Sequence, residues 1–483
     1  MKIQNLKIDF FCIVIFSFML RMILILQNPD VYAFDAYIYL LGLSPEYPLF
    51  TGFVKMLITA GFSVFAIRLV TAAIASFACF AFYLFALRIL KDKSLAGCAA
   101  LLMSIYPSFL TFSIVPYTES LFFLMLFLGL WFFEKESDTE NSPYLWTGIF
   151  LGLACLTRYE GWFILPLIFA KIMIYRKAES VLKKIRLCLS IFWGPLIWLL
   201  YKYIFLPERM AHQSEGIQNI LKNIYPLLNG LLDSAITKLI PDLLARDLLF
   251  PLIVFFAGLI LAGIGCISAV IRDRNRHLLY ILFIIPAMAI QLLPIILNYQ
   301  NFSGKIIGLH RHGMVPLVFL LLYLTYSLDL LIGKLPLPAL NQKKYQRVVL
   351  VAVLMIFVAA SFKTTNYLLS DFRKLDRNSY IEPYWIGKPN DAGAGVIAST
   401  SDKTLMAHLF GKSFRLYQPP DFADMSPESI RTFIAQHQIK YVILDRKSFP
   451  AFERFIKKTP SPGFRRLASV GGWMFVYVRE GEL

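Results

Sequence analysis

The chain has 483 residues, of which 58% are hydrophobic and 15% aromatic, and its formal net charge is +17. Soluble domains are roughly 45–50% apolar, so this composition excludes an ordinary soluble protein and indicates a polytopic membrane protein. The basic residues lie mostly in short loops between apolar runs, where they orient a protein and meet anionic lipid, so we expect no nucleic-acid partner. The six cysteines fall in or beside apolar runs and predict neither a disulfide framework nor a metal-binding pair.

Apolar runs along the chain predict about eleven transmembrane helices, each needing roughly 20 residues to cross the bilayer. The first run follows Lys2 and Lys7 and exceeds the ~7–15 apolar residues of a signal peptide, so we expect it to remain as an uncleaved span. The predicted spans are 8–27, 62–90, 95–115, 116–133, 145–157, 161–175, 187–206, 250–271, 278–298, 313–332 and 347–361.

Charge sets the predicted orientation. The stretch 145–175 is too long for one span and short for two, but two short spans keep the basic cluster at 176–186 cytoplasmic, as the positive-inside rule requires. We therefore expect a plasma-membrane or ER-type protein with a cytoplasmic N-terminus, in which residues 1–361 form the transmembrane domain. Leu49–Ala60 and Ile217–Leu232 have the pattern of helices lying in the membrane interface. Three pieces then face outward: the loop 28–61, the loop 207–249 and the tail 362–483.

The first outer loop contains Asp35, in the sequence Phe34-Asp35-Ala36-Tyr37. A carboxylate at this place can accept a proton from an incoming hydroxyl or help to bind a divalent cation, and Tyr37 can stack on a sugar ring. The alternative is a solvated loop aspartate. Glu46 follows in the same loop and is a candidate to assist, although a solvated charge explains it as well.

Glu119 interrupts a long apolar stretch, just after Pro116 and Tyr117, where the chain is expected to turn between two spans. A charge at bilayer depth is expensive, which favours a residue that lines a site. Acidic groups also stabilise helix N-termini, so Glu119 can cap the next helix, and the two roles are compatible.

Arg158 and Glu160 lie in the sequence Leu156-Thr157-Arg158-Tyr159-Glu160-Gly161, at the tight outer turn between the two short spans. An arginine fork suits a pair of phosphate oxygens, with Tyr159 and Glu160 lining the site. An Arg158–Glu160 ion pair that holds the turn together explains the same pattern, and both interpretations stay open here.

The outer loop 298–313 carries Lys305 and Arg311. Such cations can bind a phosphate or simply meet lipid headgroups. His310 and His312 are two residues apart and point in different directions on a helix, so a histidine metal pair is not predicted.

The tail is predicted to be a small α/β domain. Val396–Ala398, Tyr441–Leu444 and Met474–Val478 have β-strand patterns. The sequence Ser426-Pro427-Glu428 is typical of a helix start, with a capping hydroxyl followed by proline. No glycine fingerprint for a nucleotide is present, so an accessory or acceptor-side role is expected.

Five motifs in chain order carry a family resemblance: Phe34-Asp35-Ala36-Tyr37, Tyr47-Pro48-Leu49, Pro116-Tyr117-Thr118-Glu119-Ser120-Leu121-Phe122, Leu156-Thr157-Arg158-Tyr159-Glu160-Gly161, and Arg311 before Pro316. Their order and common side resemble the GT-C superfamily of glycosyltransferases that use polyprenyl-phosphate sugars. The chain is similar to the protein O-mannosyltransferase and aminoarabinose-transferase group and to the GPI mannosyltransferase group. Asp35 stands as a single acid in its motif, where the protein mannosyltransferases have an adjacent acidic pair.

The resemblance implies a GT-C-like, α-helical polytopic membrane protein that moves a hexose, with mannose as a candidate, to an extracytoplasmic hydroxyl with inversion. It implies that Asp35 is the catalytic base. Arg158, Arg311 and Lys305 would bind the donor phosphate, and Glu119, Tyr37, Tyr117 and Glu46 would lie on the acceptor, sugar or metal side. Asp35 and Glu119 would be the ligands if a divalent cation is used, which the sequence leaves open. The implied partners are the lipid-linked donor, membrane lipids and a glycan, lipid or protein acceptor.

Two other functions stay open on the sequence. A transporter or flippase of a lipid-linked sugar is also polytopic, but transporters often show internal repeats, and none is visible here. A glycan ligase or polymerase is chemically close to the proposed transferase.

Overall fold

The computed structural model describes residues 3–28, 47–138, 144–175, 181–205, 249–274, 276–284, 287, 314–333, 342–379, 395–398, 415–417, 427–445, 464–470 and 474–479. The chain divides into two compact units. The first comprises residues 1–29, 45–53 and 65–369, and the second comprises 30–44, 54–64 and 370–483.

The described part of residues 1–379 is almost entirely helical. A 3₁₀ helix spans Tyr159–Ile164. The α-helices are α1 (Ile3–Gln27), α2 (Pro48–Thr59), α3 (Val64–Leu90), α4 (Lys93–Ile105), α5 (Pro107–Ser113), α6 (Thr118–Ser137), α7 (Leu145–Thr157), α8 (Leu165–Tyr175), α9 (Val181–Phe205), α10 (Leu249–Arg272), α11 (276–284), α12 (Met314–Gly333) and α13 (Gln342–Ser379).

Five of the described helical segments are long and apolar enough to cross a membrane, or six if the bent pair α4–α5 counts as one span. The sequence predicted about eleven spans, and shorter apolar helices such as α7 fall below the length of a full crossing. The predicted span 278–298 lies mostly outside the described residues, as does the amphipathic stretch 217–232. The five segments are Asp9–Gln27, Val64–Leu90, Ile253–Arg272, Met314–Leu331 and Val351–Ser370.

The predicted span 95–115 is broken rather than continuous. Helices α4 and α5 meet at 58°, because Pro107 cannot continue the hydrogen-bond ladder and Tyr106 before it adopts a non-helical ψ of 121°. The carbonyl groups at such a break must be satisfied by protein, since lipid offers no donors. Ser361 of α13 donates its hydroxyl to the carbonyl of Ile105, and Arg21 of α1 donates to that of Ser104.

Aromatic side chains fill the space around α6. Phe127 of α6 packs on Phe82 and Phe85 of α3 and on Phe319 of α12, with ring centroids 4.7–5.9 Å apart. All four rings are buried. These contacts bury large apolar areas and place α6 against both α3 and α12.

Glycines allow two close helix crossings. Trp193 of α9 donates its indole N–H to the carbonyl of Gly148 on α7 at 2.9 Å. A Cβ atom at Gly194 would lie 2.6 Å from the Cα atom of Gly152, so the backbones of α7 and α9 touch at this point. A Cβ atom at Gly265 of α10 would likewise lie 2.7 Å from the carbonyl carbon of Tyr323 on α12. Small residues permit such contacts in membrane proteins.

A polar cluster lies at the C-terminal end of α6. The ammonium group of Lys171 is 2.7 Å from a carboxylate oxygen of Glu134, and Tyr280 of α11 donates its hydroxyl to the same oxygen. Lys171 also lies over the rings of Phe133 and Tyr280. The cluster joins α6, α8 and α11.

The second unit contains a five-stranded sheet. The predicted strands are found in it, and the predicted helix begins at Pro427, with Ser426 outside the described residues. The strands are β1 (Gly395–Ala398), β2 (Arg415–Tyr417), β3 (Ile439–Asp445), β4 (Phe464–Val470) and β5 (Met474–Arg479), and α14 (Pro427–Gln436) precedes β3. Their order in the sheet is β2-β1-β3-β5-β4. Strands β1 and β2 are parallel, as are β1 and β3, whereas β5 is antiparallel to β3 and β4.

The predicted domain boundary at 361/362 falls inside α13.

We predict that Gly194→Ala destabilises the helix bundle by about 1–3 kcal/mol, because the new methyl group overlaps the backbone of α7. Gly97→Ala is the matched control, since a Cβ atom at Gly97 meets nothing within 4 Å. Thermal unfolding in detergent, followed by tryptophan fluorescence, measures both variants. Equal melting temperatures for the two would contradict the close crossing of α7 and α9.

We predict that His277, just before the predicted span 278–298, makes stability depend on pH. Burial lowers the pKa of His277 to about 4 from an ordinary value of 6.5, against smaller electrostatic effects of both signs. The unfolded chain therefore binds the proton more readily, and stability is lost as pH falls from about 6.5 towards 4. His277→Gln should show a shallower loss of melting temperature over that range, and identical pH profiles would contradict this. The charged groups that act on His277 are Asp273, Arg276, Glu134 and Lys171.

Candidate active site

Arg158 lies between the end of α7 and the start of the 3₁₀ helix. Its backbone is extended, with φ −154° and ψ 144°, and its N–H still bonds to the carbonyl of Ala154. Gly161 follows closely, and a Cβ atom there would lie 3.2 Å from the backbone nitrogen of Cys155. The sequence Arg158-Tyr159-Glu160-Gly161 therefore makes a tight turn that folds Glu160 back beside Arg158.

The guanidinium group of Arg158 joins two carboxylates. Its Nε atom donates to Oε1 of Glu160 at 2.9 Å, and its Nη2 atom forms an ion pair with the same oxygen. Its Nη1 atom forms an ion pair with Glu119 and donates to the hydroxyl of Thr118 at 3.2 Å. Thr118 in turn donates to the second oxygen of Glu119 at 3.2 Å. We call Glu119, Arg158 and Glu160 the buried triad.

The buried triad is almost fully removed from solvent, with side-chain exposures of 2%, 2% and 1% for Glu119, Arg158 and Glu160. Desolvation of charge is expensive, so each member depends on the others for compensation. In these contacts one guanidinium group serves two carboxylates.

Two buried acceptors have no hydrogen-bond partner within the described residues: the Oε2 atom of Glu160, and the hydroxyl oxygen of Ser120, the residue after Glu119 in the chain. Buried polar atoms are usually paired, so the unpaired oxygen of Glu160 indicates a place for a donor such as a hydroxyl group.

Both predicted roles of Glu119 are compatible with its position. Glu119 lies in the first turn of α6, where a negative charge is favoured by the helix dipole. Its carboxylate also faces Arg158 across the end of α7.

Tyr117, immediately before α6, is buried and packs edge-on against Phe112 at 5.3 Å. Tyr159 is half-buried and packs against Phe163.

Two further buried arginines, Arg21 and Arg68, were not among the residues predicted from the sequence. Arg21 of α1 donates to the hydroxyl of Ser113 at 2.7 Å and lies 5.0 Å from the ring centre of Phe109. Arg68 of α3 donates to the carbonyl of Ile114 at 2.9 Å. Each stands inside an apolar run of the sequence, and that isolated charge at bilayer depth was the signal that could have found them.

The remaining predicted site residues lie outside the described residues: Asp35, Tyr37, Glu46, Lys305 and Arg311. Within the part of the chain that is described, no group of three or more His, Cys, Asp or Glu side chains is arranged to hold a metal ion.

The first unit thus has the helices of a membrane protein and a buried ion-pair triad where the start of α6 meets the end of α7. Residues 44–201 match the family of dolichyl-phosphate-mannose-protein mannosyltransferases. This range begins after Asp35 and includes the whole triad. The match confirms the predicted resemblance to membrane glycosyltransferases that use polyprenyl-phosphate sugars. No curated relative matches the sequence.

Three solved structures are similar in arrangement. The S. cerevisiae protein O-mannosyltransferase Pmt1–Pmt2 complex bound to the sugar donor has 16% identity and a TM-score of 0.35 over 43% of this chain, which spans only 34% of that protein. The Archaeoglobus fulgidus oligosaccharyltransferase in complex with Zn and sulfate has 14% identity and a TM-score of 0.46, over 97% of this chain and 73% of its own. ArnT from Cupriavidus metallidurans in the apo state has 13% identity and a TM-score of 0.47, and the match covers 89% of this chain and 87% of the ArnT chain. Because the identities are 13–16% and the TM-scores are below 0.5, these three structures do not strengthen the family match.

We predict that Arg158→Met costs about 3–5 kcal/mol of stability, because it leaves two buried carboxylates without their cation. Arg88→Met is the control, since Arg88 pairs with Asp138 at an exposed position, where a pair is worth at most about 1 kcal/mol. Unfolding in detergent measures both variants. Adding Glu160→Gln to Arg158→Met should recover part of the loss, and a purely additive double variant would contradict the coupling.

Proposed function

We propose that the protein is a membrane glycosyltransferase that moves a hexose from a polyprenyl-phosphate donor to an acceptor hydroxyl, with mannose as the first sugar to test. The observation that carries the proposal is the buried triad, which lies inside the family-matched residues 44–201. Ionised side chains buried in a membrane protein are costly and serve substrate binding or catalysis by default.

The unpaired oxygen of Glu160, a member of the triad, supports a sugar as the ligand. Oε2 of Glu160 and the hydroxyl of Ser120 can each accept a hydrogen bond from a sugar or acceptor hydroxyl. In this proposal Glu119 and Tyr117 therefore lie on the sugar or acceptor side, and Tyr159 and Glu160 line the site.

Asp35 is proposed as the base. The acceptor oxygen attacks the anomeric carbon, the bond from that carbon to the phosphate oxygen breaks, and the acceptor proton passes to the Asp35 carboxylate. The polyprenyl phosphate leaves with the bonding electron pair. The transition state is oxocarbenium-like, and a single direct displacement inverts the anomeric carbon. Because the acceptor proton becomes acidic late in the reaction, a carboxylate of ordinary pKa is adequate.

Cations must balance the charge that develops on the departing phosphate, a contribution that can reach ~3–4 kcal/mol. Arg311 and Lys305 are proposed for this role together with Arg158. The donors of Arg158 already face Glu119, Glu160 and Thr118, so contact with phosphate would require one carboxylate to release it. Arg311 and Lys305 therefore carry the larger share in this proposal. A divalent cation, if used, would be held by Asp35 and Glu119, as proposed from the resemblance.

A transport function finds less support along α6. Glu119 and Glu134, in the polar clusters at the two ends of this helix, are separated by about 22 Å. Beyond Ser120, which is next to Glu119, the buried side chains between them are apolar: Leu121, Phe122, Phe123, Leu126, Phe127, Leu130 and Phe133. A polar path would be expected to line the route of a transported sugar. We propose that the site lies on the extracytoplasmic side, with the N-terminus cytoplasmic.

We predict that Asp35→Asn inserts and folds normally but loses sugar transfer by about two orders of magnitude or more, because the amide cannot take the proton. The measurement follows labelled polyprenyl-phosphate sugars in membranes containing the protein. Asp138→Asn is the matched control, since Asp138 forms an exposed ion pair at the far end of α6. Near-normal transfer by Asp35→Asn would refute the assigned base, and a wild-type protein that consumes no such donor would refute the proposed function.

A further inference from the structure

Arg68 connects two chain segments that are far apart in sequence. It is fully buried near the start of α3. Its Nε atom donates to the carbonyl of Ile114, and its Nη2 atom donates to the carbonyl of Asn28, each at 2.9 Å. One guanidinium group therefore holds α1, α3 and the turn between α5 and α6 together.

The two acceptors are carbonyl groups at the ends of helices. Asn28 directly follows α1, and Ile114 directly follows α5. The last carbonyls of a helix have no intrahelical donor, and lipid supplies none, so protein donors must satisfy them. A cation is further favoured there by the negative end of the helix dipole. Asn28 is also fixed by its own side chain, which donates to the carbonyl of Leu24 at 2.8 Å.

These two attachment points bear directly on the proposed site. Along the sequence, the chain passes from Asn28 into the loop that contains Asp35, and from Ile114 through Pro116 to Glu119. We propose that Arg68 is a positioning residue, which fixes the end of α1, at Asn28, relative to Ile114 before the turn that leads to Glu119. This inference rests on the proposed transferase function. It assigns Arg68 no contact with the substrate.

The geometry requires an arginine. A guanidinium group presents separate N–H donors in a planar fork, so it can bond two carbonyls in fixed directions. A lysine has a single ammonium centre on a flexible stem, and a glutamine amide has one donor group and no charge. Arg68→Lys should therefore retain part of the connection, and Arg68→Gln less.

Kinetics distinguish positioning from binding. Arg68→Gln should lower kcat at least about tenfold while leaving KM for the polyprenyl-phosphate sugar within about twofold, because misplacement of catalytic groups affects the transition state most. Arg68→Lys should recover part of kcat. Arg88→Gln, which alters only an exposed pair with Asp138, should match the wild type. Unchanged kcat in Arg68→Gln, or a rise in KM alone, would overturn the proposal.

A second measurement tests the connection without any assay of transfer. Val115 follows Ile114 and is fully buried. A Val115→Cys protein should resist a membrane-impermeant maleimide, and the same cysteine should react several-fold faster in an Arg68→Gln background. Equal protection in both backgrounds would overturn the positioning role. If wild-type protein consumes no lipid-linked sugar yet labelling changes as expected, the proposed function fails and the connection stands.

Discussion

The structure depends on the compensation of charge that has been buried in a membrane protein. Glu119, Arg158 and Glu160 are almost fully removed from solvent, and none of them is stable there alone. Arg21 and Arg68 are also buried and bond to hydroxyl and carbonyl oxygens of the segment 104–114. Three buried arginines thus hold the broken part of the chain between α4 and α6. The position of Glu119 follows from that arrangement.

This arrangement connects fold to the proposed chemistry. The break at Pro107 and the turn at Pro116 prevent the chain from running as one straight helix, and they bring the start of α6 to the end of α7. The turn after α7 is tight because Gly161 packs against the backbone of Cys155. A site built from several helix ends can hold its carboxylates rigidly, which is what catalysis by pre-organised charge requires.

The sequence predicted the helices well where apolar length decided them, as in α1, α3 and α12. It also predicted the strands β1, β3 and β5 from their local patterns. It missed the bend at Tyr106, because hydropathy measures apolar length and Pro107 was not weighed as a break. It left open whether Arg158 pairs with Glu160, and it could not predict the pairing with Glu119, since that contact depends on how α6 and α7 pack. Arg21 and Arg68 were visible as isolated charges, but their carbonyl partners are a property of the folded chain.

The most direct test of the central claim is an electron cryomicroscopy structure of the protein in a lipid nanodisc with a polyprenyl-phosphate sugar bound. We predict that the sugar ring lies between the Asp35 carboxylate and the buried triad, with the phosphate beside Arg311 and Lys305. A donor bound elsewhere, or Asp35 at the opposite end of the helices from Glu119, would contradict it.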